Sequence, residues 1–241
     1  MRADDLRPCA MGEDGTALLT AVLATALLSS LGLMLVLAAT IETWVASSYR
    51  NASEVFFAAD AGIERALPDL AQTSDWSAVL DGSSGSTFLD GAGGPRTLAD
   101  GRALDLLEVV NRANCGHTAP CSAGEMDAIT GTRPWGPNNP RWRLFMHGAL
   151  DSLSPGRALR SSCYVVVLVA DDPSENDSNP LRDGAGAQNP GTGILLIRAE
   201  AFGPGGAHKV IEATVEKASG QPFLPSPVRL VNWRETRERE Y

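Results

Sequence analysis

Residues 17–41 read ALLTAVLATALLSSLGLMLVLAATI, and the stretch 16–41 holds 19 apolar residues in 26 without a single charge. Asp14 and Glu42 bound it. A bilayer core of about 30 Å is crossed by about 20 apolar residues in a helix, so this run is long enough to span. The apolar core of a cleaved secretory signal is only about 7–15 residues long, which makes a signal peptide the weaker reading. Arg2 and Arg7 precede the run and Arg50 follows it. The simpler topology keeps the short N-terminal tail inside and places the 200 residues after position 41 outside.

Beyond Ile41 the pattern turns one-sided. Apolar or small residues recur at Ile41, Val45, Tyr49, Ala52, Phe56, Ala59, Ile63, Ala66 and Leu70. Glu42, Ser48, Arg50, Glu54, Asp60, Glu64 and Arg65 fill the opposite face. Steps of three and four mark an amphipathic helix. Proline lacks the N–H that a helix interior needs, so Pro68 is expected to end this helix near Leu67. A helix over 16–67 is about 78 Å long.

The rest of the chain reads as a loop-rich α+β domain over 71–218. Residues 74–102 and 114–139 are rich in Gly, Pro, Ser, Asp and Asn and read as turns and loops, with a short helix over 103–112 between them. Strands are expected over 142–147, 163–170, 194–202 and 209–217. CYVVVLVA at 163–170 is an apolar run rich in β-branched valine and reads as a buried strand, and Gly203-Pro204-Gly205-Gly206 joins the last two as a hairpin. An antiparallel sheet packed on the amphipathic half of the long helix buries both apolar faces. Residues 219–241 carry mixed charges and read as a tail that is either surface-lying or disordered, with Trp233 as a candidate anchor.

The net charge of -9, from 29 acids against 20 bases, argues against a nucleic-acid binder, since phosphate contacts need a basic surface. His117, His147 and His208 stand apart in the sequence, and no G-x-S-x-G, Walker A, HExxH or CxxC motif occurs. No enzyme is expected from this pattern.

Gly15 directly precedes the apolar run, Tyr49-Arg50-Asn51 follows it, and residues 57–64 read Phe57-Ala58-Ala59-Asp60-Ala61-Gly62-Ile63-Glu64. On these residues the N-terminal region resembles the type IV pilin-like proteins of bacteria, in particular the PilX-type minor pilins, and is similar to the K-type minor pseudopilin of type II secretion. The last stretch resembles the families' A-x-x-A-E-A-G-I/L-E block, with Asp60 in place of Glu. The resemblance covers residues 15–67. It implies a leader over 1–15, cleavage by a prepilin peptidase after Gly15, and a new N-terminus at Thr16 that is often methylated. Residues 16–41 then form the transmembrane helix, 42–70 its amphipathic continuation and 219–241 a C-terminal tail.

The resemblance also implies an inner-membrane start, a periplasmic soluble domain and final placement in a surface pilus. The implied partners are other major and minor pilins, met through 16–41, and the inner-membrane assembly platform. The leader departs from the family pattern in being acidic at Glu13-Asp14, where basic residues are commoner. Thr20 stands where major pilins carry Glu, which suits a rare subunit at or near a tip rather than a shaft subunit. The pseudopilin alternative usually carries a larger inserted domain than this chain has room for. An alternative of another class is a membrane-anchored enzyme or binding domain whose juxtamembrane helix packs on its own domain.

Two loops carry ligand chemistry. Asp171, Asp172, Glu175, Asp177, Asn179 and Asp183 offer the oxygens that calcium takes, without EF-hand spacing. The same region is calcium-stabilised in many pilins, and the alternative is a plain solvated acidic loop. Cys115 and Cys121 flank CGHTAPC and are a candidate disulfide in an oxidising compartment. With His117 they also make a partial zinc set, for which the sequence offers no nearby second pair. Cys9 falls in the expected leader, and Cys163 opens the buried strand.

Overall fold

The computed structural model describes residues 14–153, 161–184, 191–217 and 228–236. Most of the expected leader (1–13) and parts of the expected tail (219–227 and 237–241) lie outside them. The chain divides into a unit ending at Ser48 and a unit from Tyr49 onward. The first unit contains the apolar part of α1 (Asp14–Gln72).

In the second unit the later turns of α1 lie on a five-stranded antiparallel meander whose strands follow one another in chain order. Val55, Ala58, Ala59, Ile63, Ala66 and Leu70 are fully or almost fully buried. The core-facing stripe therefore starts at Val55, whereas Ile41, Val45 and Tyr49, expected on the same face, are exposed.

The helix does not stop at Leu67 but runs through Pro68 to Gln72. The proline forfeits one backbone bond and comes only a turn from the end. That turn is held from outside the helix. Leu70 is fully buried. Asp69 accepts from Arg65 Nη1 at 2.9 Å, from Thr87 N at 3.1 Å and from the Ser86 hydroxyl. Trp76 Nε1 donates to the Leu70 carbonyl at 3.1 Å, satisfying one of the orphan carbonyls of the helix end.

The small elements before the sheet are α2 (Ser77–Leu80), β1 (Pro95–Thr97), β2 (Ala103–Asp105), α3 (Leu106–Cys115) and α4 (Ala123–Met126). The helix expected over 103–112 thus begins as a strand. Asp105 is its N-cap, its side chain accepting from Leu107 N at 2.9 Å, so the helix starts only at Leu106. The loops around it are fixed by buried amides. Asn114 bonds both the N–H and the C=O of Trp142, and Asn139 bridges the carbonyls of Met126 and Ala128.

The sheet itself is β3 (Arg143–Ala149), β4 (Tyr164–Asp171), β5 (Ile194–Phe202), β6 (His208–Lys217) and β7 (Val228–Thr236). β5 and β6 pair as the expected hairpin, from Phe202 opposite His208 to Ile194 opposite Glu216. β4 is buried at every position. Val165, Val167 and Val169 meet the α1 side, while Tyr164, Val166, Leu168 and Ala170 pack under Leu98, Leu106, Val109 and Trp142. The stretch read as a tail contributes the edge strand β7, paired with β6 from Lys217 opposite Val228 to Val210 opposite Thr236. Glu212 bonds Arg234 and Glu216 bonds Arg229, so the charges that suggested a free tail are cross-strand pairs. Trp233 does anchor the strand, its ring 6.0 Å from that of Phe56.

Candidate functional site

The first functional feature is the apolar part of α1. Every described side chain from Gly15 to Arg50 is exposed, with the leucines from Leu18 to Leu37 between 55 % and 71 % accessible. Among the described residues α1 is the one helix long and apolar enough to cross a membrane. Its hydroxyls turn inward on its own backbone: Thr25 to Val22, Ser30 to Leu27, Thr40 to Val36 and Thr43 to Ala39. Thr20 bonds the carbonyls of Thr16 at 3.0 Å and Ala17 at 2.9 Å. A surface that satisfies its own polar atoms suits lipid or a packed helix bundle equally. Thr20 therefore offers no charge to a neighbour. Gly15 and Thr16, the expected processing pair, lie in the first turn of α1.

The second feature is the acidic loop after β4. Asp171 and Glu175 are buried, and Asp171 Oδ1 and Glu175 Oε1 have no hydrogen-bond partner. Burial, reinforced by the charges of Glu175, Asp183 and Asp177, pushes the Asp171 carboxyl up to about 8. Burial also raises Glu175, partly offset by the Gly184 N–H, and raises Asp183.

The other acidic members of the expected set spend carboxylate oxygens on bonds elsewhere, although the charges of Asp183 and Asp177 still act on the pair. Asp172 accepts from Ser174, Asp177 from Asn179 N at 2.8 Å and Asp183 from Gly193 N at 2.6 Å. The six residues thus do not form one ligand shell among the described residues. Asp172 and Asp177 are held by short-range Asx bonds, and Asp183 by a bond from Gly193 ten residues on. Two buried carboxylate oxygens without partners nonetheless fit a hard cation, which would neutralise them, and Asp171 and Glu175 would hold it.

The third feature is at the end of α3. Cys115 and Cys121 are joined by a disulfide, with Cα atoms 6.1 Å apart. His117 stands beside them, and Glu125 of α4 faces it at 3.4 Å. Cys163 is a buried free thiol whose pKa is raised by burial.

Comparisons with protein-family models, with curated proteins and with solved structures give no match to this chain. The three features therefore rest on their own geometry.

The histidines that stand apart in sequence acquire partners in space. His147 Nδ1 lies 3.1 Å from the Tyr164 hydroxyl and 3.6 Å from Asp90, and burial lowers its pKa. His208 Nε2 lies 3.0 Å from Glu200, which also binds Arg198 at 2.7 Å. Glu200 is fully inside this network. Burial opposes its charge, but Arg198 and His208 outweigh that and hold it below the usual carboxylate range. Arg198 extends the chain to Glu212 at 2.9 Å, so the network ties β5 to β6 and, through Arg234, to β7. Sequence reasoning missed Glu125 and this network. The Ser122-x-x-Glu125 capping box was the available signal for Glu125.

Proposed function

We propose that the chain is a minor pilin of the PilX type, a structural subunit that primes or caps a type IV pilus. The observation that carries this reading is α1. One helix continues from a wholly exposed, charge-free stretch into a stretch whose buried face is the core of a small α+β domain. The exposed stretch is chemically able to sit first in lipid and then among parallel helices of sibling subunits, because it holds no unsatisfied charge. Residues 16–41 are the packing surface, and the soluble domain is carried on the same helix.

Thr20 supports a position at or near a tip. A carboxylate at that depth would pair with a neighbour's terminal amine, whereas the Thr20 hydroxyl is already bonded to its own helix. The prepilin peptidase cuts after Gly15 and exposes Thr16. The protein starts in the inner membrane with its domain in the periplasm and ends on the cell surface, and its role is structural rather than catalytic.

Co-expression with a prepilin peptidase tests the reading. The chain should lose residues 1–15, and Gly15→Val should retain them. An identical mass with and without the peptidase would contradict it.

A further inference from the structure

We infer that the segment 115–125 is a zinc site built from Cys115, His117, Cys121 and Glu125, available whenever the Cys115–Cys121 bond is reduced. This goes beyond the filament role and does not depend on it.

The chain geometry gathers Cys115, His117 and Cys121 locally, and Glu125 adjoins them through His117. Cys115 is the last residue of α3, and Gly116 follows at φ 77, a left-handed conformation that favours glycine, with its N–H bonded to the Arg112 carbonyl. This cap turns the chain back at once. The ligand atoms of Cys115, His117 and Cys121 come to lie within 4.8 Å of one another. Both cysteines are half-buried and His117 is exposed, so an ion has access from solvent.

The orientation of His117 supplies the second line of argument. Its Nδ1 lies 3.1 Å from the Ala119 carbonyl, which can only accept, so the proton sits on Nδ1 and Nε2 is free to act as a ligand. A backbone carbonyl fixing the distal nitrogen is the usual support of a metal-bound histidine. Nε2 faces Glu125 Oε1 at 3.4 Å. With the proton on Nδ1 both atoms present lone pairs to each other, an arrangement that a metal ion bound by both would satisfy.

Glu125 is pre-positioned as well. Its Oε2 accepts from Ser122 N at 2.8 Å and from Ser122 Oγ at 2.7 Å, which leaves Oε1 for the ion.

Two sulfurs, one imidazole nitrogen and one carboxylate oxygen make a four-ligand set of mixed softness. Zinc accepts that set in tetrahedral geometry, whereas calcium and magnesium demand oxygen alone. The disulfide and the metal are mutually exclusive, because both use the same sulfurs. A dithiol reductant supplies two electrons and two protons. The S–S bond breaks to two thiols and the reductant closes its own disulfide. Zinc then displaces the two thiol protons and forms two Zn–S bonds. Oxidation by a disulfide partner runs the sequence backward and releases the ion.

The test uses the full chain in detergent, reduced with a phosphine that is then removed, with Co²⁺ and Zn²⁺ as probes. The reduced chain should bind one Co²⁺ with a thiolate-to-metal charge-transfer band, and one equivalent of zinc should abolish that band. The disulfide form should show no band. The Cys115→Ser/Cys121→Ser double variant, which keeps Cys9 and Cys163, should lose it while retaining the far-ultraviolet spectrum of the parent. Glu125→Gln should weaken zinc binding at least about tenfold. Absence of the band in the reduced chain would overturn the site. So would equal zinc binding by the oxidised chain or the double variant, or an unchanged affinity in Glu125→Gln.

Discussion

A Cβ placed on Gly62 of α1 falls 2.6 Å from Val165 Cγ1 of β4 and 3.3 Å from Val167 Cγ2. Helix and sheet therefore touch backbone to side chain at this point, and the glycine within the block 57–64 is a spacing device. Gly62→Ala should overpack the contact and cost about 1–3 kcal/mol, read as a fall in melting temperature of the full chain in detergent. Val165→Ala in the same chain should recover part of the loss. An unchanged melting temperature in Gly62→Ala would show that the helix is not seated this closely.

Asp69 should dominate the acid limb of stability among the groups around the end of α1. Burial opposes its charge, but bonds from Ser86, Arg65 and Thr87 more than compensate and hold its pKa below the ordinary value of 3.8. A carboxyl depressed in the fold stabilises it above the unfolded value, and that contribution disappears as pH falls through the folded value. Asp69→Asn should cost about 1–3 kcal/mol at pH 7. The gap between variant and parent should close in strong acid, as followed by thermal melts across pH. A gap that stays constant would remove the assignment.

Calcium should raise the melting temperature of the full chain, and EDTA should lower it again. The orphaned oxygens of Asp171 and Glu175 are the seat of this response. Asp171→Asn should abolish the calcium effect and, without calcium, should melt no lower than the parent at pH 7, because a carboxyl pushed up to about 8 is already largely uncharged there and the amide is a neutral replacement of the same shape. Identical melts with calcium and with EDTA would exclude the ion from this loop.

Trp233→Ala should loosen β7 from α1. The ring meets Phe56 at 6.0 Å in a tilted arrangement, and an aromatic pair contributes about 0.5–1.5 kcal/mol beyond its buried area. Amide exchange in β7 should quicken while β4 stays protected. Equal exchange in β7 before and after the substitution would show that Trp233 does not hold the strand.

These sites differ in how far the sequence reveals them. The long helix and the β5–β6 hairpin were legible because each has a strict period, and Gly203-Pro204 punctuates the hairpin. β7 was hidden because its side chains are almost all exposed, so it lacks a buried face. A register shift opposite Thr214/Val215 also breaks its alternation. Pro68 misled in the other direction, since its local penalty is offset by bonds to Asp69 from Ser86 and Thr87 and to the Leu70 carbonyl from Trp76, all beyond the helix end. The Cys115–Cys121 pair was visible from spacing, but Glu125 becomes a neighbour of His117 only through the α3 cap and the Ser122 box. In the acidic loop, composition suggested six ligands and folding separated out two. Composition does not show which carboxylates bond their own backbone.

The central claim is tested most directly on filaments sheared from cells that make this protein, by identifying the polypeptide and the first residue of its chain. The expected result is this subunit in the filament fraction with Thr16 at its N-terminus. The contrary result is a chain that still begins at Met1 and stays entirely with the cell envelope, which would make α1 a membrane anchor rather than an assembly helix.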